Sequence, residues 1–302
     1  MALSAGPLGL VELNPGTRYL RFVSLRFETS RGAGMLSGTD CLDVMVVNCT
    51  FSGGAGNAIM LQSSDFEAGT GPGPASSGHV ISGASIHDMG RGGIIATGGV
   101  RTSLTPSNIS IANCNITRVA EWLFTYQFGI RIHGVGVHVT NSEMSEARHE
   151  GLSMPGNDHT VEYSRFHHLV TEAHDAGAIH QGRDWTWRGR TIRYNLFDHI
   201  GRFAFYPGLD GSLPCNSPPT SCIRAGIYAD DHEGGLTIRG NIFAGTEVVG
   251  YFAHNGRDTG PPEGGVDNNL FLGAGLGVRL AGVHACRRDN ATLWAGLEAM
   301  PF

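Results

Sequence analysis

The chain contains no lysine; all 21 of its basic residues are arginine. Any proton abstraction that needs a basic side chain therefore falls to Arg, His or Tyr. Charge is sparse, at 16% of residues, and a net charge of -6 argues against nucleic acid or an anionic membrane as the main partner. No apolar run approaches membrane-spanning length. The opening "MALSAGPLGLVELNPG" lacks the basic n-region and the apolar run of a secretion signal. No stretch of a dozen residues carries a capped 3.6-residue period, so little helix is expected. Asn-Gly and Asp-Gly pairs are too few for the hairpins of a β-sandwich.

What the chain has instead is glycine, 45 residues of it, and a degenerate motif: a short apolar strand, then Asn or Tyr, then Phe or Ile. It reads "VVNCTF" at 46–51, "ISIANCNI" at 109–116, "TIRYNLF" at 191–197 and "GGVDNNLF" at 264–271. Its anchors are Phe27, Phe51, Ile86, Ile116, Met144, Phe166, Phe197, Phe243 and Phe271, spaced 22 to 46 residues apart. Self-similarity of this kind marks a solenoid, because one repeat cannot bury its own apolar face. Helical repeats keep a strict period. A parallel β-helix does not, since each coil lengthens its turns without disturbing the stacked strands. The expected fold is therefore all-β, a parallel β-helix of about 9–10 coils forming one domain over 1–302. The longest spacing contains "PCNSPPTSC", a loop insertion at 211–222 whose Cys215 and Cys222 are placed to form a local disulfide in an oxidising setting. Cys49 and Cys114 occupy equivalent positions with a coil between them, about 9–10 Å apart and too far to bridge.

A second strand per coil appears when glycines are aligned: "FGIRIHG" at 128–134, "EGLSMPG" at 150–156, "AGAIHQG" at 176–182, "AGIYADD" at 225–231 and "VGYFAHNG" at 249–256. With a period of two, Ile130, Ile132, Leu152, Met154, Ala178, Ile227 and Ala229 face the core. The opposite parity carries Arg131, His133, Ser153, Ile179, Gln181, Tyr228, Asp230 and His254. Extended backwards, it adds Gln127, His149 and Asp175. Such a stacked polar face forms a long shallow groove suited to an extended polymer. Glu172, His174, Asp175, His180, Arg183, Asp184, Trp185 and Trp187 crowd one coil, and Asp230, Asp231, His232 and Glu233 the next. Carboxylates on adjacent coils are what glycosidic cleavage requires: one protonates the leaving oxygen while the other attacks or activates water. The same acids fit Ca²⁺ binding, as in a polysaccharide lyase or C5-epimerase, or simple pairing with arginine.

The runs "GNDHTVEYSRFHHL", "DAGAIHQGRDWTWRGRTIRYNLFDHIG" and "IYADDHEGG" resemble the right-handed parallel β-helix repeat proteins of the pectate-lyase-like group, and within it glycoside hydrolase family 141. The resemblance implies hydrolysis of a polysaccharide by acids on neighbouring coils. Those acids are Asp175 from "DAG" and Asp230 or Asp231 from "DD", and His133, His149, Asn157, His180, Arg183, Asp184, Trp185 and Tyr228 are the expected substrate contacts. Departures are His180, where the group has an aromatic, and His232 and Glu233 after the "DD" pair. The expected protein is a monomer of the extracellular or secretory space, truncated at both ends, needing no cofactor and no metal unless it is a Ca²⁺-assisted lyase. A third possibility is a non-catalytic, glycan-binding surface solenoid.

Overall fold

The computed structural model describes residues 9–65, 76–184, 186–201, 223–231, 233–246, 249–254, 265–273 and 276–281. Its strands build three sheets of eleven, nine and nine members, and every neighbouring pair of strands within them is parallel. Each coil visits the sheets in the same order. His138–Thr140 lies in the second sheet, Glu143–Ala147 in the third and Glu150–Ser153 in the first. The chain is a parallel β-helix, with no helix among the described residues and none long and apolar enough to cross a membrane.

The anchor residues form one ladder of the third sheet, in register from Phe27 through Phe51, Ile86, Ile116, Met144, Phe166, Phe197 and Phe243 to Phe271. Phe166, Phe197, Phe243 and Phe271 stack at 4.7–5.0 Å between centroids. Burying each such side chain is worth about 1.5–3 kcal/mol. The residue two before each "C", "S" or "N" of the motif ends a second-sheet strand, and the corner that follows requires a left-handed backbone. Asn48, Asn113, Asn141, Tyr163, Tyr194 and Asn268 adopt φ of 48–56° there. Asn tolerates this region better than most residues, which is why the motif is rich in it. The next residue points inward: Cys49, Cys114, Ser142, Ser164, Asn195, Asn241 and Asn269. The last three form a hydrogen-bonded ladder in which Asn195 Nδ2 donates to Asn241 Oδ1 at 3.0 Å and Asn241 Nδ2 to Asn269 Oδ1 at 3.0 Å. Cys49 and Cys114 are buried free thiols with the Ala84 coil between them. The insertion at 211–222, with its expected disulfide, lies outside the described residues.

One sequence-based assignment is overturned. Ile179 pairs with Leu152 and Ile227 in the core ladder and is fully buried, and Gln181 pairs with Ala229. His180, in register with Tyr228, takes the outer position. The row that holds Gly129, Gly151, Gly226 and Gly250 requires a small residue, because a Cβ at Gly226 would lie 2.7 Å from the Phe243 ring. Ala178 fills that row in its own coil. Aligning on the neighbouring Gly177 slips the strand by one residue, and a one-residue slip inverts every side chain.

Candidate functional site

The outer face of the first sheet carries an open groove of about 320 Å³ over the coils of Glu150, His180 and Asp230. Tyr126 and Phe128 flank one side, and Arg183 and Trp187 the other. Gly182 contributes no side chain, and a Cβ there would sit 2.3 Å from the Asp230 carbonyl oxygen. The floor is therefore open directly beside Asp230.

Charge is concentrated around one imidazole. His180 Nδ1 lies 2.7 Å from Glu150 Oε1, and its Nε2 lies 3.7 Å from Asp230 Oδ2. Burial pulls the His180 imidazole down, but hydrogen bonding and charge from Asp230 and Glu150 outweigh it and lift its pKa to about 9. His180 is therefore a cation at neutral pH. Burial pushes the Asp230 carboxyl up, and hydrogen bonds from His180, His254 and the Asp231 backbone overcome this and hold it below the usual carboxylate range. His254 Nδ1 stands 3.0 Å from Asp230 Oδ1 and 3.5 Å from Asp231 Oδ1. Glu150, 1% exposed, is likewise held low against its burial by His149 and His180, with His149 Nδ1 at 3.1 Å.

Tyr228 stacks on His180, the ring centroids 4.5 Å apart and the planes 7° from parallel. Its hydroxyl donates to Asp175 Oδ1 at 3.0 Å, and the Asp230 carboxylate is close enough to oppose its ionisation. Burial and the two carboxylates keep this phenol neutral. Asp175 itself is exposed, at a left-handed φ of 56°. Asp175 and Asp230, on neighbouring coils, thus both approach the Tyr228 hydroxyl. Asp231 is half-buried, and its carbonyl accepts the Arg183 N–H at 2.5 Å, which ties the groove's flank to its floor.

The remaining expected contacts divide between two places. His133 is buried edge-on against Trp187 at 5.9 Å, its pKa pushed down to about 3 chiefly by burial. His149 packs under Tyr126 at 5.7 Å. Asn157 and Asp184 belong instead to a neighbouring hydrogen-bonded corner. There Asn157 accepts from Arg101 and donates to the Thr186 carbonyl, and Asp184 accepts from Thr186 and pairs with Arg101 at 3.4 Å. Trp185 and His232 lie outside the described residues. Glu150, absent from the sequence-derived set, has a signal after all: it is an acid in a row otherwise held by Phe128, Gly177, Ala225 and Val249. Asp230, Asp231 and His254 offer ligand atoms within 4.8 Å of one another. With an imidazole among three donors and the His180 cation alongside, this set does not fit the all-oxygen shell of Ca²⁺.

A family model described as the right-handed β-helix region matches residues 31–285. No curated protein matches the chain. Among solved structures, one titled "Glycoside hydrolase" is similar in fold, with a TM-score of 0.50 and 15% identity over 83% of this chain. The chain spans 39% of that protein's length.

Proposed function

The chain belongs to the right-handed β-helix family, and from the groove that its coils carry we propose that it hydrolyses glycosidic bonds of a polysaccharide. The observation that carries this is the approach of two acids from neighbouring coils, Asp175 and Asp230, to Tyr228 beside an open groove with aromatic and arginine flanks. Asp230, kept ionised by His180 and His254, is the carboxylate that attacks the anomeric carbon or activates water. Asp175, open to solvent and held by the Tyr228 hydroxyl, is the acid that protonates the leaving oxygen. Glu150 is a positioning residue: it fixes the His180 ring and its charge. Tyr126 and Trp187 offer flat faces for sugar rings, and Arg131 and Arg183 favour an acidic sugar. The fold-level similarity to a glycoside hydrolase supports the same substrate class.

The test is reducing-sugar release from acidic and neutral polysaccharides by the whole chain. Asp230→Asn and Asp175→Asn are each expected to lower it by about 10²–10⁴-fold, the exposed Asp175→Asn without changing thermal unfolding. Full activity in Asp175→Asn sinks the role given to it. An ultraviolet-absorbing unsaturated product would replace hydrolysis with elimination, and tight glycan binding with no product would leave a binding solenoid.

A further inference from the structure

A second concavity lies apart from the groove, where the third sheet turns into the first on the N-terminal coils. It is a trough of about 460 Å³ between Arg31 and Arg91 on one side and Trp122 and Leu123 on the other, within the size range of small-molecule sites. Its floor is bare peptide. A Cβ on Gly56 would lie 2.2 Å from the Ala33 carbonyl oxygen, and one on Gly90 would lie 2.5 Å from that of Ala55. The stacked turns are so close that no side chain fits between them.

The wall is pinned in place. The N–H groups of Trp122 and Leu123 both donate to the Gly90 carbonyl at 3.0 Å, and that of Ala120 donates to the Arg91 carbonyl at 2.6 Å. Trp122 is nevertheless 74% exposed, with Leu123 at 44% beside it. Scattered exposed apolar residues need no explanation, but an indole held out by an anchored backbone over a polar floor is a ligand-facing surface. Arg31 and Arg91 are exposed too, and neither has an ion-pair partner among the described residues. The neighbouring cation Arg148, by contrast, pairs with Glu121 and Glu172 and covers Phe124. Two uncompensated guanidinium groups in a chain of net charge -6 mark a local demand for an anion. The loop that carries Trp122 also carries Tyr126, which lines the groove, so one short segment contributes to both concavities.

We propose that this trough is a distal binding site for an acidic polysaccharide: the indole stacks on a sugar face, while Arg31 and Arg91 take a carboxylate or sulfate of the same or the next residue. That the bound chain is also the one cleaved rests on the hydrolase reading; the binding of an anionic sugar does not. Calorimetry on the whole chain, carrying Asp230→Asn so that nothing is consumed, tests it with three hexasaccharides: galacturonate, carrageenan and neutral xylose. At least one acidic hexamer is expected to bind more tightly than the neutral one, more weakly as salt is raised. It should lose about tenfold in affinity in Arg31→Ala/Arg91→Ala and again in Trp122→Ala, a step of about 1.4 kcal/mol each. All three positions are exposed, so unfolding temperatures should not move. Preference for galacturonate assigns a carboxylate, and preference for carrageenan a sulfate ester. Equal binding of the neutral hexamer, or acidic binding indifferent to these substitutions, overturns the site. If the unmutated chain releases no sugar while the substitutions still weaken binding, the hydrolase reading fails alone.

Discussion

A carboxylate that is 1% exposed must be compensated where it stands, and Glu150 is compensated by two imidazoles. The cost of that arrangement is a dependence on pH that can be signed. His180 titrates near 9 in the fold and near 6.5 in the unfolded chain. A raised pKa stabilises fully below about 6.5, and the contribution is lost as pH rises through about 9. Activity that needs the imidazolium to orient Asp230 and to offset negative charge in the groove should therefore fall on an alkaline limb near pH 9. Glu150→Gln removes one of the two charges that raise it, so the limb should shift to lower pH, measurable as the pH profile of turnover and as the His180 ring titration by NMR. An unmoved limb with reduced stability would make Glu150 a purely structural acid.

At the scale of the element, the interior corner between the first and second sheets is less apolar than the ladders around it. Arg190 and Glu233, both fully buried, form an ion pair there, and Arg190 Nη2 also donates to the Trp187 and Gly234 carbonyls. Removing one partner of such a pair leaves an uncompensated buried charge. Glu233→Gln or Arg190→Met alone should cost about 3–5 kcal/mol in denaturant unfolding, whereas Arg190→Met with Glu233→Leu should recover most of it. A double variant no better than the singles would show that the carbonyl contacts of Arg190, not its charge, hold the corner. The strands themselves were legible: the Phe and Ile anchors pair in the register that their spacing implied. The slip at Ala176–Gly182 came from reading a glycine as a marker when the fold needed only a small residue, and Ala178 met that need.

Across the whole molecule, other buried histidines sit on the same inner corner row and must be neutral. His79 Nδ1 accepts the Val44 N–H at 3.1 Å, and His159 Nδ1 accepts that of Val137 at 3.0 Å. Burial is the main cause pushing their pKa values down, to about 4 and about 3. Their stabilisation is present above the unfolded value near 6.5 and declines as pH falls towards the folded values, by about 1.4 kcal/mol per pH unit for each. Thermal unfolding temperatures should therefore drop steeply from pH 6 to pH 4, and His79→Asn, whose amide oxygen can still accept, should flatten that slope. An unchanged slope would place the acid sensitivity elsewhere. The sequence by itself determined the solenoid, the aromatic ladder and the outer polar face, because stacking repeats its demand for the same side chain at the same place in every coil. It also brought Asp175, His180, Tyr228 and Asp230 to notice as chemistry-bearing residues of two neighbouring coils. Only the tertiary structure decided how they meet. Asp175 is five rows from Tyr228 by register and Glu150 three rows from His180, yet each pair is in hydrogen-bond contact. Such contacts depend on how strand ends bend over the sheet and on which acids find a partner in the interior, and neither leaves a period in the sequence.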